Sequence, residues 1–231
     1  MLLIIPCYNE QETIAGLYKE IKEKTSYDVL VINDCSTDNS RTVLQNEKIP
    51  YLNLPMNLGI GGAVQTGYRY ALKNGYDIAV QLDGDGQHDP GQVEKIVKPI
   101  EKNEADLIIG SRYINKTGFQ STVMRRFGIK FFSLLIFCLS GKRITDATSG
   151  FRAANRKTMQ IFGKYYANDY PEPESNMLAL RNKLRVNEVP VTMRERQGGV
   201  SSIKYLQPVY YMLKVSIGII ISATINVKHK K

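Results

Sequence analysis

The chain has 231 residues, 43% of them hydrophobic and 23% charged, a balance that excludes a disordered or fibrous protein and gives one large domain ample length to bury a core. Its formal net charge of +9 calls for an anionic partner: nucleic acid, a membrane surface or a phosphorylated substrate. Cys7, Cys35 and Cys138 show no metal-ligand spacing and leave an odd thiol over, as expected of reduced cysteines in a cytoplasmic protein, and Met1 to Ile5 runs into Pro6 without the basic lead-in of a secretory signal.

Leu2 to Ile5 is a doubly apolar run ending at Pro6, the pattern of a buried parallel strand. Glu10 to Lys24 then carries Ile14, Leu17, Tyr18 and Ile21 at helical spacing. The unit repeats: Val29 to Ile32 as strand, Asn33 to Asp38 as turn, and a helix to about Glu47. Tyr51 to Leu54 predicts a third strand, Asn57 to Ala63 leads into a helix through Leu72, and Ile78 to Leu82 predicts a fourth strand. A helix from Gln92 to Lys102 brings the chain to a fifth strand at Asp106 to Ile109. Five such alternations predict an α/β fold, Rossmann-like and doubly wound, with a mostly parallel sheet flanked by helices.

The fourth strand runs into Gln81-Leu82-Asp83-Gly84-Asp85-Gly86-Gln87-His88-Asp89-Pro90, which sets two carboxylates one residue apart where a strand should end. Ligands of α/β sheets gather outside the carboxyl ends of the strands, so this pair can grip a divalent cation against a phosphate-bearing substrate. A plain Asp-Gly turn is one rival reading. A calcium loop is another, since Asp83, Asp85, Gln87 and Glu94 fall at ligand positions, but His88 stands where that loop needs Gly, and a strand leads in.

After Gly110 the rhythm breaks. Met124 to Phe137 starts basic and turns apolar nearly all round, so it reads either as a buried helix or as one lying in a membrane interface, with Arg125 and Arg126 at the headgroups. Thr145 to Arg152 reads as a polar connection, and Asn155 as the cap of a short helix through Ile161. Tyr170 to Glu174 starts another helix to about Asn182, and Leu184 to Met193 alternates like an edge strand. Pro208 to Ile225 is long enough to be considered a membrane span, yet it contains Lys214 and has Arg194, Arg196 and Lys204 before it and Lys228, Lys230 and Lys231 after it. An in-plane or partner-docked helix is therefore expected, giving residues 1–204 as the main domain and 205–231 as an apolar helix with a basic tail.

Six motifs occur in order: Pro6-Cys7-Tyr8-Asn9-Glu10, Asn33 to Asp38, Asn57-Leu58-Gly59-Ile60-Gly61, Leu82 to Asp85, Gly110-Ser111-Arg112-Tyr113 and Asp146 to Arg152. The set resembles the family 2 glycosyltransferases of the GT-A fold, in particular the polyprenyl-phosphate sugar synthases of the dolichol-phosphate mannose synthase type. The likeness runs over about residues 1 to 205. It implies a nucleoside clasp from Pro6, Tyr8, Glu10 and Asp34, with Asn57 and Gly59 also on the nucleotide. It also implies Mg²⁺ or Mn²⁺ held by Asp83 and Asp85, with Gln87 as a third oxygen ligand. Asp146 corresponds to a family aspartate near the acceptor, where it could position an arginine or the substrate, or transfer a proton. Glu172 and Glu174 lie near where related inverting enzymes keep a base.

A lipid phosphate already carries charge at neutral pH, so an acceptor of that kind needs cations and not a base, and Arg112, Arg125, Arg126 and Arg196 are the candidates. The expected reaction is an inverting displacement that moves glucose or N-acetylglucosamine from a UDP-sugar to undecaprenyl or another polyprenyl phosphate. It would take place at the cytoplasmic face of the plasma membrane, in the service of cell-envelope polysaccharide. Many of these synthases continue into two or more transmembrane helices, so attachment here is expected through a basic interfacial surface, a second copy or a small membrane protein. A saccharide or protein acceptor is the alternative, and a non-enzymatic sugar-nucleotide sensor a weaker one. Nucleic acid is disfavoured because the basic residues cluster beside Phe, Leu and Ile and not beside a reading module.

Overall fold

The computed structural model describes residues 1–120, 122–195 and 208–227. Arg196, Lys204, the 204/205 boundary and the basic tail Lys228, Lys230 and Lys231 lie outside these residues. The first half alternates as the hydropathy pattern requires: β1 (Leu2–Cys7), α1 (Ile14–Lys24), β2 (Asp28–Asn33), α2 (Ser40–Asn46), β3 (Tyr51–Asn53), α3 (Gly59–Lys73), β4 (Ile78–Gln81), α4 (Val93–Glu101) and β5 (Leu107–Ser111). Helix α5 (Val123–Ser140), β6 (Arg152–Asn155), α6 (Arg156–Phe162), α7 (Pro171–Arg181), β7 (Val186–Pro190) and α8 (Pro208–Ser222) complete it.

Seven strands form one sheet in the order β3-β2-β1-β4-β6-β5-β7. All neighbours are parallel except β6, which runs antiparallel between β4 and β5, pairing Gln81 with Arg152 on one side and Ile109 with Arg152 on the other. This strand falls within a stretch read from sequence as connection and helix cap. Its four residues, Arg152-Ala153-Ala154-Asn155, include no β-branched side chain, and its extended state comes from having a partner on both edges. Asn155 does cap α6, its side chain accepting from the Thr158 N–H at 2.9 Å. Strand β7 is an edge strand as predicted, parallel to β5.

Because side chains alternate across a strand, β1 feeds two cores. Leu2 and Ile4 face α3, α6 and α7, together with Leu30, Ile32, Leu107 and Ile109. Leu3 and Ile5 face α1, α2 and α4, where Ile14, Leu17, Ile21, Leu44, Ile96 and Val97 are buried. Both faces are covered, which is the arrangement that lets strands read as continuous apolar runs. Helix α5 is not the wholly buried helix of the first expectation, and the apolar side it exposes is compatible with the second, a helix at a membrane interface. Ile129, Phe132 and Ile136 are buried on one side, while Met124, Phe127, Phe131 and Leu134 are exposed on the other. Helix α8 packs on α5 and α7, burying Val215 and Ile219 and exposing Tyr210, Leu213, Ile217, Ile220 and Ile221.

Candidate active site

Strands β1, β2, β4 and β5 end on one edge of the sheet, and β6, being antiparallel, begins there. The loops leaving that edge hold most of the residues singled out in the sequence. Tyr8, just past β1, presents a ring 46% exposed, a face free to stack on a flat ligand. Pro6 is buried inside β1 and shapes the edge through its carbonyl, 3.0 Å from where a Cβ on Gly84 would sit. Glu10 is half-buried, its N–H donating to Ser40 Oγ at 2.9 Å and its carboxylate accepting from Thr13 Oγ1 at 3.1 Å. Asp34 is 2% exposed, and its Oδ1 accepts the Leu58 N–H at 2.7 Å. Burial pushes this carboxyl up, against the pull of the Leu58 and Gly59 amides. Asp34 therefore ties the β2 loop to the start of α3, where Asn57 Nδ2 also reaches its carbonyl at 3.3 Å. Gly59 has φ +76 and packs on the Asn168 carbonyl, and the Gly61 N–H donates to that same oxygen at 2.8 Å. The first turn of α3 is thus partly closed by residues 167–168, so only part of its amide edge faces an anion.

In the acidic loop after β4, Asp85 is 6% exposed and its Oδ1 accepts the Gln87 N–H at 3.0 Å. Asp83 Oδ1 is buried without a hydrogen-bond partner, and the Gly150 backbone comes so near that a Cβ there would lie 2.8 Å from it. A carboxylate oxygen held dry and unpaired is costly unless a cation completes it, so the oxygen donors here fit Mg²⁺ or Mn²⁺. Among the described residues no cluster of three or more His, Cys, Asp or Glu is arranged to hold a metal. Asp83, Asp85 and Gln87 would supply oxygen ligands of the kind such a cation takes.

Across the same edge, Arg112 makes a bidentate pair with Asp146, Nε to Oδ2 at 2.7 Å and Nη2 to Oδ1 at 2.7 Å. Its backbone N–H also donates to Oδ2 at 3.2 Å. Burial alone would lower the guanidinium's pKa, but Asp146 more than reverses that and leaves it above its ordinary value. Asp146 is fully buried, an arrangement that positions an arginine. Its amide and that of Thr145 donate to Glu188 on β7 at 2.9 and 2.7 Å. Arg125 and Arg126 are exposed at the start of α5. Burial raises the Tyr113 phenol, whereas the charges of Arg112, Arg125 and Arg126 pull it back, so all three arginines lie within electrostatic reach of Tyr113. Arg196 lies outside the described residues.

The two glutamates of α7 separate. Burial raises the pKa of Glu172, whose carboxyl lies within electrostatic reach of Arg152 and Asp83. Glu174 instead lies against Gly218 of α8, with burial pushing it up to about 7.

Four residues that sequence reasoning passed over also build the site. Thr13 Oγ1 donates to the Gly84 carbonyl at 2.8 Å, and Glu188 holds the 145–146 turn. Arg152, fully buried, donates to Ser149 O at 2.6 Å, Ser175 Oγ at 2.6 Å and Glu172 O at 3.0 Å, linking the 146–150 turn to α7. His88 is 3% exposed and turned back onto Asp83. The signal for His88 and Arg152 was their place inside motifs already recognised; Thr13 and Glu188 carried none.

The Glycosyl transferase family 2 profile matches residues 2–162. An undecaprenyl-phosphate mannosyltransferase of Micrococcus luteus is 30% identical, over 98% of this chain and 92% of that protein. A UDP-N-acetylglucosamine–dolichyl-phosphate N-acetylglucosaminyltransferase of Methanococcus voltae is 29% identical, over 82% of this chain and 83% of its own length. Among solved structures, glucosyl-3-phosphoglycerate synthase from Mycobacterium tuberculosis, crystallised with Mn²⁺, UDP-glucose and phosphoglyceric acid, superposes with a TM-score of 0.75 at 17% identity, over 98% of this chain and 80% of that one. With the sheet order, the acidic loop at the end of β4 and this profile in agreement, the chain belongs to glycosyl transferase family 2 and has the GT-A fold.

Proposed function

We propose that this protein transfers a hexose, glucose or N-acetylglucosamine, from a UDP-sugar to undecaprenyl or another polyprenyl phosphate, with inversion, at the cytoplasmic face of the plasma membrane. The observation that carries the reading is a cationic helix start beside an apolar surface. Arg125 and Arg126 stand exposed at the start of α5, their charges, like that of Arg112, felt by Tyr113, and α5 and the packed α8 both expose apolar side chains. A phosphate on a long hydrocarbon asks for that pairing of chemistries. Two relatives act, by their names, on undecaprenyl phosphate and dolichyl phosphate, and these names supply the acceptor class. Their names differ in the sugar, so the donor rests on general likeness. Residues 1–204 would form the catalytic domain, with 205–231 as the docking appendage. Among the described residues no helix is long and apolar enough to cross a membrane.

In this reading Tyr8, Glu10 and Asp34 hold the nucleoside, with Asn57 and Gly59 beside them. Asp83, Asp85 and Gln87 would hold Mg²⁺ or Mn²⁺, which when bound neutralises charge on the departing diphosphate. Arg112, fixed by Asp146, and Arg125 and Arg126 draw the acceptor phosphate toward a site that already holds anions. A phosphate oxygen forms the new bond at the anomeric carbon while the bond to the nucleoside diphosphate breaks on the opposite face. No proton has to be removed from the nucleophile. The saccharide or protein acceptor remains the second reading because Glu172, whose carboxyl is held above its ordinary pKa by burial and lies within electrostatic reach of Asp83, could serve a hydroxyl as base.

Incubating the protein with undecaprenyl phosphate and a panel of nucleotide sugars, with product analysis, is the test. Lipid-linked hexose from a UDP-sugar is the expected product. Transfer only to soluble acceptors, unaffected by Arg126→Ala, would establish the second reading instead.

A further inference from the structure

One side chain lies against Asp83 at both its amide and its carboxylate. The Asp83 N–H donates to His88 Nδ1 at 3.0 Å, and His88 Nε2 lies 3.6 Å from Asp83 Oδ2. Since Nδ1 accepts, the ring's N–H is at Nε2, on the carboxylate's side but at 3.6 Å too far for a direct hydrogen bond. The imidazole cannot drift from this pose. It is 3% exposed and stacked on Phe151, with ring centroids 5.0 Å apart and planes 14° apart. Its backbone is bridged to Met193, and the neighbouring Gln87 carbonyl accepts the Arg194 N–H at 3.0 Å. One oxygen of Asp83, Oδ2, thus faces the ring's Nε2 at 3.6 Å while the other, Oδ1, stays buried and unpartnered.

We propose that His88 is a positioning residue for Asp83, fixing which carboxylate oxygen is presented to the cation. The proposal rests on the reading of Asp83 as a metal ligand. Groups that hold a metal ligand from behind raise affinity by limiting the poses the ligand can take, and removing one costs about 10- to 100-fold in metal binding. A residue that only filled space beside Phe151 would be replaced without that loss by another flat ring.

The test uses the full chain, with Mn²⁺ binding in the presence of UDP followed by electron paramagnetic resonance, and thermal melting alongside. His88→Phe keeps a ring on Phe151 and removes both nitrogens; His88→Asn keeps an acceptor for the Asp83 N–H and removes the N–H on the side of Oδ2. The expected result is Mn²⁺ affinity about 10- to 100-fold weaker in both variants, with His88→Asn melting closer to the parent than His88→Phe. Affinity within about twofold of the parent in both variants, while Asp83→Asn loses it, overturns the positioning role and leaves Asp83 as a ligand. Parent-like Mn²⁺ binding in Asp83→Asn overturns the ligand reading and the proposal with it. Loss of affinity in His88→Phe that His88→Asn fully restores overturns the role of Nε2, because the amide contact alone would then suffice.

Discussion

Single residues divide by what surrounds their charge. Asp85→Ala should abolish transfer, by on the order of 1,000-fold, with the far-ultraviolet circular dichroism unchanged; near-parent rates of lipid-linked product would remove the metal assignment. Asp146→Ala is a different experiment, since it leaves the Arg112 guanidinium, 8% exposed, without its partner. A loss of about 3–5 kcal/mol in urea unfolding is expected, together with the loss of activity. The three cysteines should split on thiol titration at mildly alkaline pH. Cys7 is buried and pushed up to about 12, burial being the largest cause, so it should react only on unfolding, while Cys35 and Cys138 react in the native chain. The sequence made Asp83 and Asp85 visible because two carboxylates at a strand end have few structural reasons to be there. It hid His88 and Arg152 for the opposite reason. The partners of a buried cation are chosen by the fold: Arg152 reaches Ser149 in its own turn and Glu172 and Ser175 on α7, contacts that no spacing in the sequence announces.

Elements show where one contact controls a larger piece. At the start of α3, a Cβ on Gly61 would run into the Ala167 carbonyl, so Gly61→Ala should push residues 167–168 away and cost about 1–3 kcal/mol in denaturant unfolding. Helix α8 meets α7 where Glu174 lies against Gly218, with Lys214 and Asp169 as the charged neighbours. The folded chain holds the Glu174 proton more tightly than the unfolded one, about 7 against 4.5. The stability this contributes is fully present below pH 4.5 and is lost as pH rises through about 7. Glu174→Gln should remove that part of the pH dependence, seen as a smaller fall in melting temperature than the parent shows over the same range. The five βα units were legible because both faces of the sheet are covered, which writes each strand as an unbroken apolar run. Helix α5 was not resolved by its pattern. It is apolar on the side it buries and on the side it exposes, and hydropathy alone cannot tell which of two apolar sides enters the core.

For the whole molecule the net charge of +9 and the two apolar stripes act together. Phe127→Asp combined with Leu213→Asp should reduce sedimentation with anionic vesicles. Arg125→Ala and Arg126→Ala should each weaken the same binding by about 1 kcal/mol, an effect that fades in high salt. Unchanged sedimentation in all of these variants would move the docking surface elsewhere. The antiparallel strand β6 carries one more consequence, for the order in which the molecule is made. Strand β5 bonds only to β6 and β7, both of which leave the ribosome after it, and β4 keeps one edge bare until residues 152–155 arrive. The nucleoside half, β1 to β4, can therefore settle during synthesis while Leu107-Ile108-Ile109 waits unpaired. That interval is when the nascent chain is most open to strand-to-strand aggregation, and slowing translation between the codons for β5 and β6 should lower the soluble yield.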